Sequence, residues 1–92
     1  MNEPYGILTT PDFDRDLAKL DRQVAGRIAK KLEWLACHPD LLSQPLRNLP
    51  ARLARLQKYR IGDYRVLLWV DHAERTIILY AVAHRSSIYR NL

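Results

Sequence analysis

Between residues 54 and 83 the chain carries three strand-like runs separated by two short turns, and this pattern restricts the fold more than any other feature. The first run, at 54–61, leads into Gly62-Asp63, a two-residue hairpin turn with glycine at its first position. The second run, at 64–70, leads out of it, and a further turn at 71–74 precedes the third run at 76–83. Ile77, Ile78, Leu79, Tyr80, Ala81 and Val82 make that third run apolar on both sides, as expected of a central strand. Consecutive strands joined by tight turns predict an antiparallel sheet.

The upstream half supplies what covers the sheet. Residues 5–9 are a short β-prone stretch. Thr10-Pro11-Asp12 reads as a helix start, with a hydroxyl cap, proline at the first position and carboxylates in the first turn. Phe13, Leu17 and Leu20 recur at helical spacing. Asp21 is placed to cap a second helix whose stripe is Val24, Ile28, Leu32 and Leu35, with Arg22, Lys30 and Glu33 opposite and Arg27 and Lys31 flanking. Pro39 disfavours helical backbone at His38 and ends this helix. Pro39, Pro45 and Pro50 mark residues 39–53 as an ordered surface loop. The expected fold is α+β with order β-α-α-β-β-β: a helical hairpin packed on one face of a four-stranded, mainly antiparallel sheet. At 92 residues the chain is expected to form a single domain over 1–92.

Composition narrows the function classes. The one cysteine, Cys37, excludes an internal disulfide, and with three scattered histidines it gives no zinc-ligand spacing, so neither a metal nor another cofactor is expected. No apolar run approaches the ~20 residues of a membrane span, so no membrane partner is expected. The start of the chain lacks a basic segment followed by an apolar one, and a reduced cytoplasmic setting is the expectation. A net charge of +5 suits a polyanionic partner such as nucleic acid, or an acidic protein.

The cations are concentrated where the strands end. Side chains alternate along a strand. If Gly62-Asp63 is a tight turn, Arg60 pairs with Arg65 and shares its face with Lys58. If the next turn centres on Ala73, Arg65 sits opposite Ala81 and Arg85 falls on the same side, while Tyr64, Val66, Leu68, Ile78, Tyr80 and Val82 face the helices. Small Ala81 and Ala83 would leave a shallow concavity between the cations. Within 58–66 and 83–90, where these cations lie, Asp63 is the one carboxylate. Like charges on neighbouring strands repel, so their concentration points to an anion between them. A solvated basic face with no partner is the plainer alternative. Tyr89 reads either as a packing plug or as a functional phenol, and His84 either as a solvent-facing histidine or as an acid. No Asp is placed to complete a serine triad with His84 and Ser86 or Ser87.

The stretch Tyr59-Arg60-Ile61-Gly62-Asp63-Tyr64-Arg65-Val66, followed by Ala83-His84-Arg85 and Ile88-Tyr89-Arg90, resembles the RelE/ParE superfamily of type II toxin–antitoxin toxins, and is most like the RelE-type messenger-RNA interferases. Pro45-Leu46-Arg47 is similar to the short Leu-basic segment those toxins carry before their second strand. The resemblance implies a ribosome-dependent endoribonuclease. It would cut messenger RNA in the ribosomal A site, without metal, by attack of a ribose 2′-OH on the adjacent phosphate. It implies catalytic roles for Arg65, Arg85, Tyr89 and Lys58, RNA-binding roles for Arg60, His84, Arg47 and Arg90, and a cognate RelB-like antitoxin and the ribosome as partners. At Leu56 the chain departs from members that have a second lysine there, which leaves the general base open. Two alternatives share the fold: a ParE-type DNA gyrase inhibitor, and a catalytically inactive domain that binds RNA or antitoxin.

Overall fold

The computed structural model describes residues 3–89. Six elements follow one another as β1 (Gly6–Thr9), α1 (Pro11–Ala18), α2 (Arg22–Ala36), β2 (Gln57–Ile61), β3 (Tyr64–Asp71) and β4 (Thr76–His84). This is the expected α+β order. The strands lie in the order β1-β4-β3-β2. β2, β3 and β4 form an antiparallel meander, and β1 returns beside β4 in parallel.

Local chemistry sets the helix ends. The Thr10 hydroxyl oxygen accepts the Phe13 N–H at 3.2 Å, and the same hydroxyl lies 3.0 Å from the Leu79 carbonyl and 3.2 Å from that of Tyr80. One side chain thereby caps α1 and fastens it to β4. Asp21 caps α2 by accepting from Gln23 N–H at 3.0 Å. Phe13, Ile28, Leu32, Leu35 and Ala36 then pack against Val66, Leu68, Ile77, Leu79 and Val82. Where β4 runs on past the end of β1, its Val82 N–H is satisfied by the Asp16 carboxylate of α1 at 3.1 Å. A buried donor left unpaired would cost about 1–3 kcal/mol.

Two expectations need correction. The segment 54–56 is not strand. A single 3₁₀ turn occupies Ala51–Leu53, Arg55 takes a positive φ of 69°, and β2 begins only at Gln57. The reason is a second apolar cluster on the outer face of the sheet, where Leu53, Leu56, Leu67 and Ile88 are buried with Leu46, Leu49 and Trp69 against them. The Trp69 indole N–H donates to the Ala54 carbonyl at 3.0 Å and ties the segment down.

The second correction concerns phase on β4. Asp71 pairs with Thr76, so the turn centres between Ala73 and Glu74 and spans one residue more than expected. Ile77 and Leu79 therefore face the helices, and Ile78 and Tyr80 do not. A β-bulge then intervenes: Leu68 pairs with Leu79 but Leu67 with Ala81, leaving Tyr80 as the extra residue. The two one-residue shifts add, so Arg65 lies opposite Ala83 rather than Ala81, on the face originally expected.

Candidate functional site

The outer face at the Gly62-Asp63 end of the sheet gathers most of the cations singled out from sequence. Gly62 adopts φ 58° at the first turn position, which glycine does without steric cost. This tight turn puts Arg60 directly opposite Arg65, and Lys58 opposite Leu67 on the same face. Arg65 is half-buried, and its Nη1 donates to the carbonyls of Gly62 and Tyr64, both at 2.9 Å. Arg85 follows β4, and its backbone N–H donates to the Asp63 carbonyl at 2.8 Å. Its Nε lies 4.0 Å from an Asp63 carboxylate oxygen. One two-residue turn thus holds both arginines, Arg65 through Gly62 and Arg85 through Asp63.

Charge balance around this turn is one-sided. Among the described residues the ion pairs within 4.0 Å are Arg15–Asp12 and Arg85–Asp63. Lys58, Arg60, Arg65 and Arg47 have no such carboxylate. Leu46 N–H donates to the Leu56 carbonyl at 2.8 Å, which lays the Pro45-Leu46-Arg47 segment along β2. Arg47 and Lys58 consequently line one cavity of about 560 Å³ at that edge.

The C-terminal segment turns back after His84, whose carbonyl accepts from Ser87 and Ile88 N–H at 2.9 and 3.1 Å. Ile88 plugs the second cluster, while Tyr89 remains 47% exposed. The anchoring role considered for Tyr89 therefore belongs to its neighbour. His84 pairs with Tyr64, on the opposite face from Arg65. Its ring meets the Tyr64 ring edge-on at 5.6 Å, and its Nδ1 accepts the Ser86 N–H at 3.2 Å. It is not brought together with the arginines. Arg90 lies outside the described residues. Leu56 is fully buried in the second cluster, so that position presents no functional group. Tyr59 packs against the main core, and burial pushes its phenol above the ordinary 10.0, which disqualifies it as a base near neutral pH. Among the described residues no group of three or more His, Cys, Asp or Glu side chains is placed to hold a metal ion.

Chemically, this face offers the Arg65 guanidinium fixed by two backbone carbonyls, the Arg85 guanidinium beside the Asp63 carboxylate, and two further cations, Lys58 and Arg60. Planar guanidinium donors match the paired oxygens of a phosphate. Sequence reasoning missed Lys19, Arg52 and Tyr80, which surround a further cavity next to Ala83. The extra residue in the 71–76 turn, which sets Tyr80 on the outer side, has no signature in residue alternation.

The model of the family described as the ParE toxin of the type II toxin–antitoxin system parDE matches residues 7–89. Toxin RelE of Mycobacterium tuberculosis is 32% identical over 90 residues, 97% of this chain and 90% of that protein. The chain belongs to the RelE/ParE family. It is a toxin of a type II toxin–antitoxin system. Solved structures agree with this RelE/ParE assignment. A chain of the toxin–antitoxin complex RelBE2 from Mycobacterium tuberculosis superposes with a TM-score of 0.77 at 30% identity, covering 90% of this chain and all (100%) of that one. Isolated RelE toxin of E. coli superposes at 0.68 with 18% identity, covering 96% and 99% respectively, and speaks for the fold alone. No helix among the described residues of this toxin is long and apolar enough to cross a membrane.

Proposed function

We propose that this toxin is a metal-independent endoribonuclease that cuts messenger RNA in the ribosomal A site, in the reduced setting of the cytoplasm. The observation that carries the reading is the Gly62-Asp63 turn holding Arg65 and Arg85 together, with Lys58 and Arg60 alongside and Asp63, among the described residues, the sole carboxylate within 4.0 Å of them. A ribose 2′-OH attacks the adjacent phosphorus, the bond to the 5′-oxygen breaks, that oxygen takes a proton from water, and a 2′,3′-cyclic phosphate and a 5′-OH result. Negative charge grows on the non-bridging and leaving oxygens. Arg65, its guanidinium already oriented by the Gly62 and Tyr64 carbonyls, and Arg85, its backbone pinned to the same turn, stabilise it. Lys58 adds positive charge on the same face. Tyr89, exposed and close in sequence to Arg85, takes the 2′-OH proton or stacks on a base. Arg60, Arg47 and Arg90 contact the RNA backbone. His84 faces away from the arginines, so it binds a more distant part of the strand rather than protonating the leaving oxygen.

A RelB-like antitoxin is the second partner. The RelBE2 relative is a toxin–antitoxin complex, and an acidic segment over this basic face would block it. The experiment is expression without antitoxin. It should arrest growth, and primer extension should show breaks within translated codons. The matching family model is described as a ParE toxin, which favours a second reading, gyrase inhibition. Intact messages together with inhibited supercoiling would establish that reading instead. Intact messages with supercoiling unaffected would leave a catalytically inactive domain that binds RNA or antitoxin.

A further inference from the structure

We infer that the cavity between α1 and the outer face of β4 is a subsite for the nucleotide next to the cleaved phosphate. This rests on the RNA-cutting reading above. The cavity has a volume of about 380 Å³, and Lys19, Arg52, Tyr80, Ala81, Ala83 and Ser87 are among its lining residues. That volume lies within the usual range of small-ligand sites. Its floor is low because Ala81 and Ala83 carry only methyl groups. Ala83 is also the residue directly opposite Arg65, so the cavity lies on the strand next to the arginine proposed to hold the reacting phosphate.

The walls supply the two things a nucleotide needs. The first is a ring face. The longer 71–76 turn sets Tyr80 on the outer side, where its ring is steadied against Trp69 at 5.2 Å and a 59° tilt, with Arg52 Nη1 donating to its phenol oxygen at 3.5 Å. The second is free positive charge. Two carboxylates also line the cavity, but Asp12 is paired with Arg15 and Asp16 is engaged by the Val82 N–H. Among the described residues Lys19 and Arg52 have no carboxylate within 4.0 Å. A phosphate on the two cations and a base against Tyr80 satisfy both at once. An acidic peptide would use the cations but not the ring.

The test is single-turnover cleavage on programmed ribosomes at increasing toxin concentration, with an abasic nucleotide placed in turn on either side of the cut. Wild-type toxin should need a roughly five- to hundredfold higher half-saturating concentration for one of the two abasic messages, as expected for loss of one stacked base. Tyr80→Ala and the Lys19→Ala/Arg52→Ala double variant should need that higher concentration even for the intact message, at unchanged maximal rate. Tyr80→Ala should no longer distinguish the abasic message, and Tyr80→Phe, which keeps the ring, should behave as wild type. Wild-type toxin that cleaves but ignores both abasic positions overturns the subsite and leaves the nuclease reading standing. Variants that cleave as wild type but bind an acidic antitoxin peptide more weakly overturn it in favour of a peptide site. Wild-type toxin that does not cleave at all overturns the nuclease reading and the subsite with it.

Discussion

Arg60 and Arg65 stand directly opposite each other across the β2–β3 ladder, a pairing that works against the hairpin that makes it. Like charges at directly opposed positions are destabilising, by roughly 0.2–1 kcal/mol. Such a pair is retained where both charges serve a ligand. Arg60→Thr should therefore stabilise the toxin and raise its melting temperature by a few degrees, given about 4–8 °C per kcal/mol for a domain of this size. It should also weaken RNA binding. A thermal melt showing a lower temperature would mean that Arg60 contributes to the fold.

The Arg65 guanidinium donates to backbone carbonyls, the Arg85 backbone is pinned to Asp63, and neither residue belongs to an apolar cluster. Arg65→Ala and Arg85→Ala should each stay folded and lower the single-turnover cleavage rate by about 10²–10³-fold, the usual cost of one preorganised donor. Rates equal to wild type for both would remove them from the site.

Tyr89 is exposed while Ile88 takes the buried position, so Tyr89→Ala should leave the melting temperature unchanged. If the phenol moves the proton, Tyr89→Phe should slow cleavage by about 10²–10⁴-fold. If the ring only stacks, Phe should keep the rate and Ala lose it. Wild-type rates for both variants would show that the C-terminal segment takes no part in catalysis.

Leu56 is buried in the second cluster. Placing a lysine there should not add a base. Truncation of a buried leucine costs about 2–5 kcal/mol, and Leu56→Lys also requires a charge to leave the apolar cluster. Urea unfolding should show the loss, with no gain in cleavage. A stable, faster Leu56→Lys variant would mean that the second cluster yields easily.

What the sequence disclosed and what it hid divide along a physical line. Helix caps and stripes are local, so Thr10, Asp21 and the α2 stripe were readable residue by residue. The Gly62-Asp63 turn was equally local, and it carried the Arg60–Arg65 pairing with it. Phase along β4 was not local. The extra residue in the 71–76 turn and the bulge at Tyr80 each flip alternation, and no residue in either place demands it. Between the two flips Ile78 and Tyr80 were assigned to the wrong face, and beyond them Val82 and Ala83 to the right one. The second cluster was hidden for a related reason. Leu46, Leu49, Leu53 and Leu56 recur at helical spacing, but Pro45 and Pro50 argue against a helix through them, so the segment reads as a loop and gives no sign that it covers the sheet. Those two features together build the cavity beside Ala83.

The most direct test of the account places purified toxin with ribosomes programmed with a defined message, and separately with gyrase and relaxed plasmid. The account predicts cleavage of the message within the A-site codon, leaving a 2′,3′-cyclic phosphate, and normal supercoiling. An intact message beside blocked supercoiling would contradict it.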